Sequence, residues 1–264
     1  MNMPITVAKV PYLNYEPFYF DMQLESGFQT RVNRPNTMQG QFNLIKAEPS
    51  EVAELMLAGE IDAGPVPVAD IKLIESFCYP VSHFAISTAN QAGNLFLYSK
   101  IQISELEGKT IQLTTKGATS NELVKILLQC KYGFNKCVYV TEETENDAIL
   151  MIGDPALRAR FGLQGYSFKY DLGLEWSEWT KLPLVTSKWY ANNNLPKQDQ
   201  ILIENTLYVG MEEGVTTLCN TNETIDHLLM RPKDIVSFIR GFKYFSGNSE
   251  TKGLMKLKEY LDSV

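Results

Sequence analysis

Apolar and polar positions along the chain follow two rhythms, one with a period of two residues and one with a period of three to four, and their order predicts the architecture. Ile5 to Val10 alternates like a strand and stops at Pro11. Tyr12-Leu13-Asn14 follow as a polar-tipped loop, and an aromatic helix is expected around Pro17 to Met22. Glu51 to Ala58 carries apolar residues at helical spacing, with Ser50 as the expected N-cap, Glu51 and Glu54 in the first turn and Gly59 just past the end. Ile61 to Val68 then reads as a strand. Short β-type runs recur at Leu95 to Tyr98 and Thr110 to Thr114. The amphipathic stretch Lys116 to Cys130 comes next, and Thr119-Ser120-Asn121-Glu122 at its start has the spacing of a capping box. After the polar stretch NNNLPKQDQ the rhythm is helical, near Gln200 to Leu218, Pro232 to Phe245 and Glu250 to Leu261, and no strand is expected there. Strands and helices in alternation imply an α/β fold whose sheet is covered on both faces.

The segment from Ala148 to Trp189 carries the densest chemistry. Ala148 to Ile152 is an apolar run of strand length that ends at Gly153, with Asp154 and Pro155 expected as N-cap and first helical residue. A helix that starts at a strand end aims backbone N–H groups at one point, a usual place for an anion in an open α/β sheet, although Asp is also among the commonest plain caps. Trp176 and Trp179 stand three apart, Leu182-Pro183 breaks the chain, and Leu184 to Trp189 resumes an extended pattern. Each tryptophan reads as core filling in preference to a stacking platform.

Composition narrows the function classes. With 264 residues, 44% of them hydrophobic, the chain can bury a large core as one domain or two lobes. A formal net charge of -7, with no Lys/Arg cluster alternating with aromatics, argues against a nucleic-acid partner. Cys78, Cys130, Cys137 and Cys219 lack CxxC spacing and fit reduced thiols, although Cys130 and Cys137 could in principle pair. His83 and His227 alone, without HExxH spacing, give a metal or an imidazole mechanism little to work with. The opening residues show no basic segment followed by an apolar core, and no window approaches the roughly 20 apolar residues of a membrane span, so a cytoplasmic protein without a membrane span is expected.

Several longer motifs carry a family resemblance. They are VPYLNYEP (10–17), LAGEIDAGPVPVAD (57–70), MIGDPALR (151–158) and YDLGLEWSEWTKLP (170–183), with GFKYFSG and GLMKLKEYL near the C-terminus. Over nearly its whole length the chain resembles the chorismate dehydratases of the futalosine route to menaquinone. A related lyase that cuts cyclic dehypoxanthine futalosine is a more distant possibility.

The resemblance implies a two-lobed type II periplasmic-binding-protein-like fold with C-terminal helices, used as a cytoplasmic lyase. Lobe one would hold residues 1–92 plus 190–264 and lobe two residues 93–189, with crossings near Gly93 and Trp189 and a ligand cleft between. The substrate would be a small dicarboxylate, chorismate, which loses water to give 3-[(1-carboxyvinyl)oxy]benzoate without metal or cofactor. Asn14 and Asn94 take the catalytic positions, and Tyr12, Lys116, Thr119, Ser120 and Asp154 the substrate-binding ones. Two departures from the family pattern fall in this expected cleft. Asn94, in NQAGN, stands where the family has a serine, and an amide can donate and accept hydrogen bonds but cannot relay a proton as a hydroxyl does. KGATS replaces S-x-R-T-S, leaving Lys116 as a point charge in place of a bidentate arginine. These departures keep open a second expectation, a non-catalytic small-carboxylate-binding protein of the same fold.

Overall fold

β1 (Ile5–Lys9) runs parallel to β2 (Phe42–Lys46) and also pairs in parallel with β3 (Ala63–Pro67), and these three strands found a six-stranded sheet. The computed structural model describes residues 3–22 and 40–263. β3 is buried along its whole length yet contains Pro65 and Pro67, which cannot donate to a neighbour. Its pairing with β1 ends at Ala63, so neither proline has to donate on that side. Across its other edge lies antiparallel β10 (Leu184–Asn192), followed by β4 (Cys78–Thr88) and β11 (Phe242–Phe245), giving the order β11-β4-β10-β3-β1-β2.

A second, five-stranded sheet has the order β7-β6-β8-β5-β9, built from β5 (Leu95–Ser99), β6 (Thr110–Gln112), β7 (Val138–Val140), β8 (Ala148–Ile152) and β9 (Phe168–Asp171). The chain leaves the first sheet after Thr88 and enters the second at Leu95. The return crossing was expected near Trp189, but Trp189 lies inside β10, paired with Pro65 in the first sheet. α6 (Leu172–Thr180) follows β9 directly, Lys181 turns it off in the left-handed region at φ 59°, and the extended pattern from Leu184 already belongs to the first sheet. The crossing therefore lies between Asp171 and Leu184.

Other helices complete the layers: α1 (Glu16–Tyr19), α2 (Pro49–Leu57), α3 (Ile71–Ile74), α4 (Thr119–Ile126), α5 (Gly153–Arg158), α7 (Lys197–Val209), α8 (Val215–Cys219), α9 (Pro232–Arg240) and α10 (Asn248–Leu261). The expected helix from Pro232 to Phe245 stops at Arg240. Phe242-Lys243-Tyr244-Phe245 is instead strand β11, in which Phe242 and Tyr244 are buried against the core. Three expected caps also differ. Glu48, not Ser50, stands at the N-cap of α2, where its N–H donates to the Glu51 carboxylate at 2.7 Å, while Ser50 Oγ donates to Thr115 O. α4 begins after Ala118 without a side-chain cap, so no capping box forms there. α5 begins at Gly153, and the Asp154 carboxylate accepts from Leu13 N–H instead of from its own helix. In each case a contact between the two sheets has taken the group that local sequence assigned to a helix end.

The tryptophans do pack. Trp189 meets Phe18 edge-to-face at 5.4 Å, and Phe18 meets Tyr244 at 5.4 Å, so α1, β10 and β11 share one aromatic cluster. Trp176 is fully buried, and Trp179 stacks on Tyr260 at 4.8 Å, which ties α6 to α10. All four cysteines are free thiols, so Cys130 and Cys137 do not pair.

One buried carboxyl sets a pH dependence. Asp70, in the turn after β3, is pushed up to about 6 by burial, with Glu54 and Glu122 adding to the shift. From about its ordinary 3.8 to about 6 the folded chain binds a proton that the unfolded chain has lost, so stability falls as pH rises through that window. Asp154 and Asp171 are also raised, chiefly by burial, and act in the same direction. An Asp70→Asn protein should be more stable at pH 7 by roughly 1–2 kcal/mol, the cost of keeping the buried carboxylate charged, discounted for solvent screening. Its melting temperature should change less between pH 4 and 6 than that of the wild type, which thermal denaturation across that range checks.

Candidate functional site

Loops from both sheets meet over a slot of about 60 Å³, several times the roughly 10–15 Å³ that one ordered water needs on the same measure. From the first sheet come the loop after β1 with Tyr12, Asn14 and Tyr15, together with Pro67 at the end of β3 and Thr186 in β10. From the second come Asn94 and Leu95 at the start of β5, Gly117 to Ser120 at the start of α4, and Ile152-Gly153 at the end of β8. Binding outside the carboxyl ends of parallel strands is the general rule for open α/β sheets, and β1, β3 and β8 contribute in that way.

The β1 loop is held rigidly. Tyr19 OH accepts from Val10 N–H at 2.9 Å and donates to Ala8 O at 2.9 Å, which fixes the chain just before Tyr12. Tyr12 OH donates to Glu48 Oε2 at 2.7 Å, and Lys116 Nζ meets Glu48 Oε1 at 2.9 Å. The Tyr12-Glu48-Lys116 chain thus links the sheets at the rim. Burial, then the hydrogen bond to Glu48, pushes the Tyr12 phenol far above its ordinary value, so it remains a donor. Its ring packs on Gly153, where a Cβ would lie 2.6 Å from ring carbons, and Gly153 has φ +62°. Only glycine combines that backbone with so close an approach.

At the base of the slot two amides meet. Asn94 Nδ2, in the crossing before β5, donates to Asn14 Oδ1, in the loop after β1, at 3.0 Å, and both residues are buried, at 7% and 4% exposure. Gly153 N–H donates to Asn94 O at 2.8 Å and holds the Asn94 backbone. Asn14 Nδ2 and Asn94 Oδ1 keep a donor and an acceptor without partners among the described residues. On the opposite wall Thr119 Oγ1 donates to Thr186 O at 3.0 Å and accepts from Ala69 N–H at 3.2 Å, so its hydroxyl is already engaged. Ser120 Oγ has no partner among the described residues and leans over Gly117, where a Cβ would collide with it. The N–H groups of Thr119 and Ser120 open α4 and are likewise without partners among the described residues. Free N–H groups and a hydroxyl at a helix start suit a carboxylate.

Of the residues singled out from sequence, Tyr12, Asn14, Asn94, Thr119 and Ser120 line the slot. Lys116 and Asp154 stand outside the lining. Lys116 is spent on Glu48, with half its side chain exposed, and Asp154 is spent on Leu13 N–H beneath the loop. The tryptophans do not line it either. Sequence reading missed Glu48, whose cue was Pro49, since proline at a first helical position marks the residue before it as the cap. It also missed Tyr15, whose hydroxyl meets Ser187 Oγ at 3.1 Å, and Thr186, an inward-facing strand residue with no local cue. Among the described residues the slot lining contains no carboxylate, imidazole or ammonium group, and no His/Cys/Asp/Glu group could hold a metal ion.

Residues 5–263 match the model of a family described as menaquinone biosynthesis. The chain belongs to that family. Solved structures share the fold at low identity. Protein AF1704 from Archaeoglobus fulgidus superposes with a TM-score of 0.71 at 16% identity, covering 99% of this chain and 98% of its own. The periplasmic aliphatic sulphonate binding protein SsuA from Escherichia coli gives 0.60 at 13% identity, covering 100% and 93%. The Candida albicans CA3427 gene product, described as having the generic periplasmic binding protein fold, gives 0.52 at 9% identity, covering 99% and 90%. The menaquinone-family chain therefore has a periplasmic-binding-protein-like α/β fold. Among its described residues no helix is long and apolar enough to cross a membrane.

Proposed function

We propose that the protein is a lyase that dehydrates chorismate to 3-[(1-carboxyvinyl)oxy]benzoate between two lobes that close over it, in the cytoplasm and without a cofactor. The observation that carries the reading is the Asn14–Asn94 amide pair, which lines the same slot as the open start of α4 in a chain of the menaquinone-biosynthesis family. In this reaction the C4 hydroxyl leaves with a hydrogen from the adjacent ring carbon, as water, and the ring becomes aromatic. Aromatisation supplies the driving force, so the protein's work is positioning and hydrogen bonding.

Ser120 Oγ and the first N–H groups of α4 take one substrate carboxylate. Asn14 Nδ2 is the donor that polarises the departing hydroxyl, and Asn94 Oδ1 is the acceptor that orients it. The slot is lined from both sheets, so the lobes part to admit substrate and close over it to exclude solvent. Incubation of the purified protein with chorismate, followed by chromatography, tests this. Formation of the enolpyruvyl-oxybenzoate in step with chorismate loss is expected, and its absence overturns the reading.

A second reading rests on Asn94 itself, which carries no hydroxyl at a position where the resembling family has serine. It is a protein of the same fold that binds a small carboxylate without turnover. A chorismate-dependent rise in melting temperature without product would favour it.

A further inference from the structure

The two crossings between the sheets converge on one carboxylate that the proposed reaction does not use. Asp171 ends β9 and caps α6. Its Oδ1 accepts from Gly173 N–H at 2.9 Å and Leu174 N–H at 3.1 Å, which is ordinary N-cap work. The same Oδ1 also accepts from Ala92 N–H at 2.9 Å, and Oδ2 accepts from Gly93 N–H at 2.7 Å. Those two N–H groups belong to the outgoing crossing and directly precede Asn94. The approach is close: a Cβ on Gly173 would lie 2.8 Å from both Ala92 N and Asn90 O, and Gly93 sits at φ +72°. β9 also pairs with β5, with Asp171 opposite Phe96, two residues beyond Asn94. α6 is anchored in turn through the Trp179–Tyr260 stack to α10, which packs on β10 of the first sheet.

We propose that Asp171 is the positioning residue for Asn94: one carboxylate joins both crossings and fixes the Ala92–Gly93 peptides that set where the Asn94 amide stands against Asn14. A plain cap needs only the bonds to Gly173 and Leu174. The bonds to Ala92 and Gly93 belong to the neighbouring crossing, and their consequence is the registration of a slot residue. The catalytic part of the inference rests on the reading of Asn94 as a member of the reacting site.

Two substitutions separate capping from positioning. Asp171→Asn keeps an Oδ1 acceptor for α6 but turns an N–H donor toward Gly93 N–H. Asp171→Ser keeps a good N-cap hydroxyl that is too short to reach Ala92 and Gly93. Amide hydrogen exchange should quicken by about tenfold or more at Gly93 in both proteins, and at Ala92 as well in Asp171→Ser, where the Oδ1 bond is also lost, while residues 174–180 of α6 keep their protection. With chorismate as substrate, kcat measured well below the melting temperature should fall by about tenfold or more, with KM changed by less than about threefold. Unchanged exchange at 92–94, equal loosening of α6, or an unchanged kcat in a loosened protein would each overturn the proposal. A wild-type protein inert toward chorismate would overturn the dehydratase reading alone, and the exchange comparison would still decide whether Asp171 holds the segment before Asn94.

Discussion

In the proposed dehydration of chorismate, replacing Asn14 with alanine should slow turnover by about a hundredfold or more, the usual loss when one preorganised donor to a developing charge is removed. Asn14 lies where the β1 loop enters the slot, and its Oδ1 already accepts from Asn94, so its Nδ2 is the group left for substrate. The loop around it is pinned through Tyr19 and through Leu13 N–H to Asp154, so the amide is held in place before substrate arrives. The alanine protein also loses stability, because the Asn94 N–H is left buried without its acceptor, at a cost of about 1–3 kcal/mol. For a chain of this size that is about 2–10 °C in melting temperature, so kinetics well below that temperature isolate the catalytic loss. Asn14→Asp sharpens the test, since the carboxylate keeps the acceptor for Asn94 and loses the donor. Like Asp70, a carboxylate at this buried position is desolvated, so the aspartate protein should also lose stability, and well below its melting temperature it should be about as inactive as the alanine protein. Steady-state kinetics with thermal melts on both variants check the pair, and an aspartate variant with wild-type turnover would remove Nδ2 from the mechanism.

The largest structural effect is expected at Gly153. An alanine there must adopt φ +62°, at about 1–3 kcal/mol, and must also displace the Tyr12 ring from 2.6 Å, which in a close-packed site costs about 1–3 kcal/mol more. The backbone cannot swing away freely, because Gly153 N–H is bonded to Asn94 O. Gly153→Ala should therefore melt about 5–15 °C below the wild type. Moving Tyr12 also pulls its hydroxyl from Glu48, so the rim link to Lys116 loosens and turnover falls with stability. Gly108→Ala is the matched control: its φ is +72°, but its Cβ would meet open space, so it bears the backbone cost alone. Equal melting temperatures for the two variants would show that the Tyr12 contact contributes nothing.

How far sequence reaches can be judged from individual elements. Residues 5–10, 61–68, 95–98 and 148–152 were legible as strands because each alternates or runs apolar up to a Gly, Pro or polar loop, a pattern set by burial itself. β11 was missed because a four-residue strand directly after an amphipathic helix cannot be told from the helix's last turn until β4 lies beside it. The helix starts were misassigned for one shared reason. Ser50, Asp154 and the Thr119 group have good capping side chains, and each is drawn instead into a bond with a segment distant in sequence. Competition of that kind cannot be seen in a local window. Asn14, Asn94, Thr119 and Ser120 were reachable through motif resemblance, and the structure brings them to one slot across 80 residues of separation between the two amides. Glu48, Tyr15 and Thr186 join them only through tertiary placement.

In the proposed complex a small dicarboxylate sits between the sheets, gripped by amides, hydroxyls and helix-start N–H groups. A crystal structure of the protein with the enolpyruvyl-oxybenzoate product tests it most directly. Density is expected in the slot, with one carboxylate about 3 Å from Ser120 Oγ and the α4 N–H groups and the ring beside Asn14 and Asn94. Product bound elsewhere, such as in the open groove beside Arg160 and Phe161, with the slot between Tyr12 and Thr119 holding only water, would contradict the account.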